Sequence, residues 1–421
     1  MRIVIFAAGS QGDIQPCIRL GKGLQASGFE ILLAAPQNFA NLSREHGIPF
    51  HPLRGDVQAI MAGDTGRKFM ERSGANPISS IAAMRKMLTP VALQMAEDAL
   101  EASRGADVLI SLAVFATLGR TISEILNISL ILIEPTPMLP TRNFPAPGFP
   151  VQSNMGGLLN RFSGYMMLQV IWQWYRLFVN DLRTRHGLRS LRGSDFYRTL
   201  ATTPLLGAYS PQVIPPPRDW TSKLHITGYW FQEDARDWQP SQNLKKFLGE
   251  GEAPVYIGFG SMAGRDPERF ARIVLEALTQ TGQRGVIATG WGGMNFMQVP
   301  KYVLVLDSAP HGWLFPRMAA VVHHGGAGTT AEGLRAGVPT VIIPFTVDQP
   351  FWGNRVKALG VGPAPITASK LTAEALASAI DSAITDSTMR QRAASLGAMI
   401  RAEDGVGKAV DIIKQLLEHT P

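Results

Sequence analysis

The chain has 421 residues, 45% apolar and 17% charged, which suits two globular domains and excludes a disordered chain. Its formal charge of +7 is uneven: residues 1–210 hold 20 basic against 14 acidic side chains, and residues 211–421 hold 20 against 19. No basic cluster alternates with aromatics, which argues against nucleic acid, and the lone Cys17 offers neither a disulfide nor a metal-binding pair, as fits a reducing, cytoplasmic setting.

The first ten residues, MRIVIFAAGS, carry too short an apolar run for a signal peptide and predict a buried strand. RIVIFAA, IQPCIRLGKGLQASG, EILLAAP and NFANLSREHG then alternate β-branched runs with helical patterns, the rhythm of a parallel sheet with crossover helices. ADVLISL and SLILIEP repeat the strand signal with few polar positions, as strands covered on both faces do. The longest uncharged apolar run, 108–119, has 12 residues, short of the roughly 20 needed to cross a bilayer. The expectation is a soluble protein or one that rests on a membrane surface.

The proline- and aromatic-rich stretch PQVIPPPRDW breaks the pattern, and residues 211–253 are expected to form a linker after a first domain over 1–210. Alternation resumes with APVYIGFGSM, RFARIVLEALTQTG, RGVIATG, YVLVLDSAP, AAVVHHGG, TTAEGLRAG and PTVIIPF, predicting a second doubly wound α/β unit over 254–400. A final helix over 401–421 is expected to pack back on the first domain.

Two glycine-bearing turns each follow a strand and open a helix: AAGSQGDIQP and HHGGAGTTAEG. Neither continues into the Gly-Lys-Ser/Thr of a P-loop, and the first, with only Gly9 and Gly12, lacks the GxGxxG of a dinucleotide fold. The second still suits phosphate. Gly325, Gly326 and Gly328 let backbone N–H groups approach an anion, the helix start adds partial positive charge, and His324, Thr329 and Thr330 add donors. A tight strand-to-helix turn capped by Thr329 is the plainer alternative. Glu332, two turns into that helix, is placed to accept ribose hydroxyls. Thr346, Asp348 and Gln349 follow a strand, where open α/β sheets put ligands, and Asp with Gln suits vicinal sugar hydroxyls. Asp348 could equally be a turn former before Pro350.

The ordered set HHGGAGTTAEGLRAGVPTVIIPFTVDQPFWGNRV resembles the nucleotide-sugar signature of family 1 glycosyltransferases in the form carried by sterol glucosyltransferases. GSQGDIQP, HGIPFHPLRGD, PTPMLPTRNFP and APHGWLFPRMAAVVHHGG join it, so the resemblance covers most of the chain. It implies the GT-B architecture, with two Rossmann-like domains facing across a cleft, the first holding the acceptor and the second the donor. It also implies metal-independent transfer with no cofactor beyond the UDP-sugar co-substrate, and no Asp-x-Asp pair for a divalent cation stands out. His324, Gly328, Thr329 and Thr330 would then face the diphosphate with Ser261 and the Gly12 turn nearby, Glu332 the ribose, and Asp348 with Gln349 the sugar.

Two departures stand out. Ser308 occupies the place of the tryptophan that stacks on uracil in plant-type members, which leaves the base to backbone near Ala309, and His311 stands where those members have glutamine. The resemblance makes Asp13 the general base; a helix-start carboxylate is its plainer role. Methionines and aromatics of the first half, Met84, Phe144, Phe149 and Trp172 among them, suggest an apolar acceptor, although such residues at helical spacing also make ordinary core. A sterol receiving glucose is the first expectation, and a deoxysugar transferase acting on a glycolipid, polyketide or antibiotic is the second. A nucleotide-sugar epimerase or a non-catalytic nucleotide-sugar binder are rivals of other classes. The arginines of the first half suggest docking on a lipid surface.

Overall fold

A computed structural model describes residues 1–54, 91–231, 238–260, 266–289 and 299–418. Ser261 and Met84 lie outside these residues.

The first domain is a seven-stranded parallel sheet. Its members are β1 (Arg2–Phe6), β2 (Glu30–Pro36), β3 (Phe50–Leu53), β4 (Val108–Leu112), β5 (Ser129–Glu134), β6 (Leu205–Gly207) and β7 (Leu224–Ile226), in the order β3-β2-β1-β4-β5-β6-β7. β1 lies between β2 and β4, with Ile3 paired to Ile31 on one side and Val108 on the other. Four of its five residues are buried, as a strand covered on both faces requires. Helix α1 (Gln11–Ala26) follows β1, and the long helix α2 (Gly157–Arg185) lies between β5 and β6.

The second domain repeats the plan with five parallel strands, β8 (Val255–Gly258), β9 (Gly285–Ala288), β10 (Val303–Leu306), β11 (Ala320–His323) and β12 (Thr340–Ile342), ordered β10-β9-β8-β11-β12. Helix α3 (Ala327–Ala336) follows β11, and α4 (Gln349–Leu359) follows β12. In each sheet the chain runs outward in one direction and then in the other. The reversal falls between β1 and β4 in the first sheet and between β8 and β11 in the second. At such switch points the loops after adjacent strands diverge and leave a crevice. The two glycine turns are the loops after β1 and β11.

The expected linker over 211–253 is corrected. β7 pairs with β6, Leu205 opposite Leu224, and so belongs to the first sheet. The helix Gln242–Gly249 buries Leu244 and Phe247 in a second-domain cluster with Tyr256, Val286 and Phe315. Both ends of that stretch therefore belong to the domains that flank it. A three-residue edge strand flanked by prolines and polar turns has too few positions to show a period, so the pattern hides it.

An apolar seam joins the domains: Tyr209, Val213, Ile214 and Tyr229 from the first half pack with Leu334, Phe351 and Trp352 from the second. The last helix, α5 (Gly405–Glu418), crosses back and places Ala409, Val410 and Ile413 in the first-domain core. Gly23 of α1 makes this crossing close, because a Cβ there would meet Val410 Cγ2 at 3.1 Å. Since Ile413 is fully buried, Ile413→Ala should cost about 2–4 kcal/mol. Urea unfolding followed by tryptophan fluorescence should show the loss, together with earlier exposure of the first domain.

Candidate active site

The loop after β1 is built around Asp13. Ser10 caps α1, and both its backbone N–H (2.7 Å) and its hydroxyl (2.9 Å) donate to Asp13 Oδ2. This reciprocal cap fixes the carboxylate in the first helical turn. Among the described residues Oδ1 accepts no hydrogen bond. Burial pushes the Asp13 carboxyl above the usual carboxylate range, against the pull of the two Ser10 bonds. Its charge is felt by half-buried Tyr175 on α2, whose phenol proton is held by desolvation first and then by the charge of Asp13.

Facing it from the second domain is the loop after β12. Asp348 precedes α4, and its Oδ2 accepts from Trp352 Nε1 at 3.0 Å and, across the cleft, from Thr136 Oγ1 at 3.2 Å. Burial first, with the negative charge of Asp13 adding to it, raises the Asp348 carboxyl above its ordinary value. The two carboxylates are thus electrostatic neighbours contributed by different domains. Gln349 Oε1 is committed to its own loop, accepting from Phe345 N (2.7 Å) and Thr346 N (3.1 Å). Any sugar contact by this side chain falls to its amide nitrogen. Val347, between these residues, holds φ at 53°, a left-handed conformation that a β-branched residue adopts only under constraint.

The loop after β11 is shaped by two glycines. Gly325 has φ 89°, and a Cβ there would lie 3.2 Å from the carbonyl oxygen of Gln349, so the two loops of the second domain touch backbone to backbone. A Cβ on Gly326 would lie 2.6 Å from His324 Nε2. Glycine at 326 therefore lets the imidazole lie over the start of α3. Thr330 N donates to the Gly326 carbonyl (2.9 Å), and no side chain caps the helix. The first N–H groups of α3 have no intrahelical partner by construction. His324 Nδ1 and Thr330 Oγ1 are buried without a hydrogen-bond partner among the described residues. Burial lowers the His324 pKa to about 4, so the ring is neutral at physiological pH. His323 instead holds the turn in shape, its Nδ1 accepting from Gly325 N at 3.0 Å.

His311 stacks on Phe315, with centroids 4.4 Å apart, and its Nε2 lies 3.4 Å from the Tyr256 hydroxyl. It is an aromatic packing residue of this wall, kept neutral by burial with a pKa of about 4. Glu332 lines a cavity of about 340 Å³ with Gly312, Pro316, Arg335, Ala336 and Arg401. Arg335 Nη1 lies 3.7 Å from Glu332 Oε2. Ala309 packs against the Tyr256 and Phe315 cluster.

Two residues expected to line the acceptor are placed elsewhere. Trp172 is 4% exposed and lies in the first-domain core. Phe144 packs edge-on to Trp220 and 5.3 Å from Phe351, which makes it part of the domain seam. Phe149 sits in a turn closed by its N–H on the Ala146 carbonyl. Sequence reasoning misses Thr136, Trp352 and Glu134, and counts Tyr175 only among the aromatics of the first half. The available signal for Thr136 and Glu134 is their place at the C-terminal end of a buried strand; Tyr175 and Trp352 look like core.

Residues 3–133 match the glycosyltransferase family 28 N-terminal domain, and residues 273–416 match the C-terminal domain of erythromycin biosynthesis protein CIII-like proteins. O-mycaminosyltylonolide 6-deoxyallosyltransferase of Streptomyces fradiae is 34% identical over the whole of both chains. The chain belongs to the glycosyltransferases. A sterol 3-beta-glucosyltransferase of Arabidopsis thaliana is 36% identical over all of this glycosyltransferase and 66% of its own length, and one of Cryptococcus neoformans is 35% identical over 27% of its length. The chain thus spans about two thirds or less of these sterol enzymes. The solved structure of a kitacinnamycin glycotransferase superposes with a TM-score of 0.75 at 20% identity, covering 98% of both chains. VinC in complex with dTDP gives 0.69 at 16% identity, covering all of both. The fold is GT-B.

One further group sits at the edge of this site. Glu134, at the end of β5, is fully buried, and burial lifts its pKa to about 7 from an ordinary 4.5. The folded state holds that proton more tightly than the unfolded chain, so its stabilising share is complete below pH 4.5 and is lost as pH rises through about 7. The loss is about 3 kcal/mol at most. Stability measured by urea unfolding should fall over this window, and Glu134→Gln should flatten it.

Proposed function

We propose that this glycosyltransferase moves glucose from UDP-glucose to the hydroxyl of a sterol or similar polycyclic alcohol, inverting the anomeric carbon without a metal. The observation that carries this reading is the pairing of Asp13, at the switch point of the first sheet, with Asp348, in the loop after β12 of the second. A base on one wall and a sugar ligand on the other leave an acceptor and a donor between them. The acceptor oxygen attacks the anomeric carbon and its proton passes to Asp13 Oδ1, while the bond from that carbon to the β-phosphate oxygen breaks. Burial makes Asp13 a stronger base than a free carboxylate. The N–H groups opening α3, with His324 and Thr330, meet the negative charge that grows on the leaving diphosphate. Glu332 receives the ribose at the mouth of its cavity. The sterol 3-beta-glucosyltransferases among the relatives support the acceptor class.

A second reading, transfer of a deoxysugar to a polyketide, is favoured by the end-to-end match to the Streptomyces fradiae enzyme. A mass-spectrometric screen of UDP- and dTDP-sugars against sterols, polyketide aglycones and hydroxy-fatty acids separates the two. In the productive pair, Asp13→Asn should lower kcat at least 100-fold while donor binding by calorimetry stays within about twofold. Turnover that survives the substitution unchanged removes Asp13 from the mechanism, and donor binding without turnover by any pair points to a non-catalytic binder.

We also propose that the acceptor half docks on an anionic lipid surface through α2. Leu158, at 75% exposed, and Leu159, Phe162, Met166, Trp174 and Leu177 lie exposed along one arc of this helix. Between Glu134 and Asp181 the sequence has no acidic residue, and Arg161 and Arg176 lie on the same helix. An apolar helical face accompanied by cations suits the boundary of an anionic bilayer, and would repel a second copy of itself. Co-sedimentation should show binding to phosphatidylglycerol-containing vesicles, weakened by 0.5 M salt and by Leu158→Ser with Phe162→Ser. Equal binding to neutral and anionic vesicles, or a dimer abolished by the same substitutions, overturns it.

A further inference from the structure

The bond from Thr136 to Asp348 crosses the cleft, and the way Thr136 is held assigns a role to a residue that touches no substrate. After Glu134 the chain leaves the sheet as Pro135-Thr136-Pro137-Met138. The prolines have no N–H, so Thr136 and Met138 carry the only backbone donors of this turn. Met138 N donates to Glu134 Oε2 at 3.1 Å, and the Tyr209 hydroxyl donates to Glu134 Oε1 at 2.6 Å. One carboxyl group therefore closes the turn onto the residue that begins it, and Tyr209, just after β6, fixes that carboxyl from the neighbouring strand. With Glu134 and Tyr209 both fully buried, water cannot substitute for either bond. At the tip of the closed turn, Thr136 Oγ1 donates to the same Asp348 oxygen that accepts Trp352 Nε1.

We propose that Glu134 is a positioning residue for the donor sugar: by clamping the 135–138 turn it presents Thr136 to Asp348, and Thr136 with Trp352 orients the carboxylate toward the sugar hydroxyls. This rests on the reading of Asp348 as a sugar ligand. Two donors on Oδ2 leave Oδ1 to the ligand, an arrangement in which a fixed second partner sets where the working oxygen points. A threonine on an unclamped turn would lose the bond for much of the time, and Asp348 would meet the sugar in several orientations. The cost falls on donor affinity and on alignment for transfer, not on the proton transfer at Asp13.

The test compares Glu134→Met, Glu134→Gln, Thr136→Val and Asp348→Asn in the full chain, with UDP-glucose or whichever donor the wild type consumes, after circular dichroism confirms folding. Glu134→Met and Thr136→Val should each raise the donor KM about tenfold with a smaller change in kcat, and the double variant should be no worse than either alone, because both cut one path. Glu134→Gln should restore near-wild-type KM, since its amide oxygen can accept from Met138 N while its nitrogen donates to the Tyr209 oxygen. If Glu134→Met does not fold, Met138→Pro, which deletes only the N–H that Glu134 accepts, carries the same expectation. Unchanged donor KM in the folded variants, losses that multiply in the double variant, or failure of glutamine to restore it overturns the proposal. If Asp348→Asn leaves donor KM untouched in an active wild-type background, the sugar-ligand reading itself fails. If Asp348→Asn impairs the donor but Glu134→Met does not, only the positioning role falls.

Discussion

Everything in the site depends on two parallel sheets presenting their C-terminal switch points to one cleft. A parallel sheet needs crossover helices, and the strand order fixes where consecutive crossovers part company. In the first sheet that place is the end of β1, which carries Asp13; in the second it is the end of β11, which carries the glycine turn. The apolar seam of Tyr209, Ile214, Phe351 and Trp352 sets how these ends meet. The return of α5 onto α1 ties the second half of the chain to the first-domain core.

Within the cleft, desolvation dominates the electrostatics. It raises Asp13, Asp348 and Glu134 and lowers His311, His323 and His324, each toward the neutral form. Neutral groups pre-arranged by hydrogen bonds cost little reorganisation when a charged ligand enters, which is the general advantage of a fixed polar site over water. By contrast, His324 Nδ1 and Thr330 Oγ1 have no hydrogen-bond partner among the described residues. A buried donor left without a partner carries a penalty of about 1–3 kcal/mol that a bound anion relieves.

The three histidines show why residue type alone does not settle a role. His323 and His324 are adjacent, yet strand alternation sends one ring inward to pin Gly325 and leaves the other over the helix start. His311, equally apt by residue type as a donor to the nucleotide, is taken up by the Phe315 and Tyr256 rings. Gln349 is divided in the same way, its oxygen committed to the loop and its nitrogen not.

The sequence by itself determined the two α/β domains, the pair of glycine turns and the ordered set from His324 to Gln349. Each of these is local: β-branched runs, helical periods and glycines at required conformations are written within a few residues. It also marked Asp13, through the glycine turn that follows the first strand and the resemblance that makes this carboxylate the general base. Only the tertiary structure decided which side chains are spent on packing, as with Trp172 and Phe144, and where the first sheet ends, because burial and strand pairing are set by residues distant in the chain. It alone brought Thr136 to Asp348, 212 positions apart, and Glu134 to Tyr209, 75 apart. No periodicity records a hydrogen bond between segments whose only relation is that two sheets fold against each other.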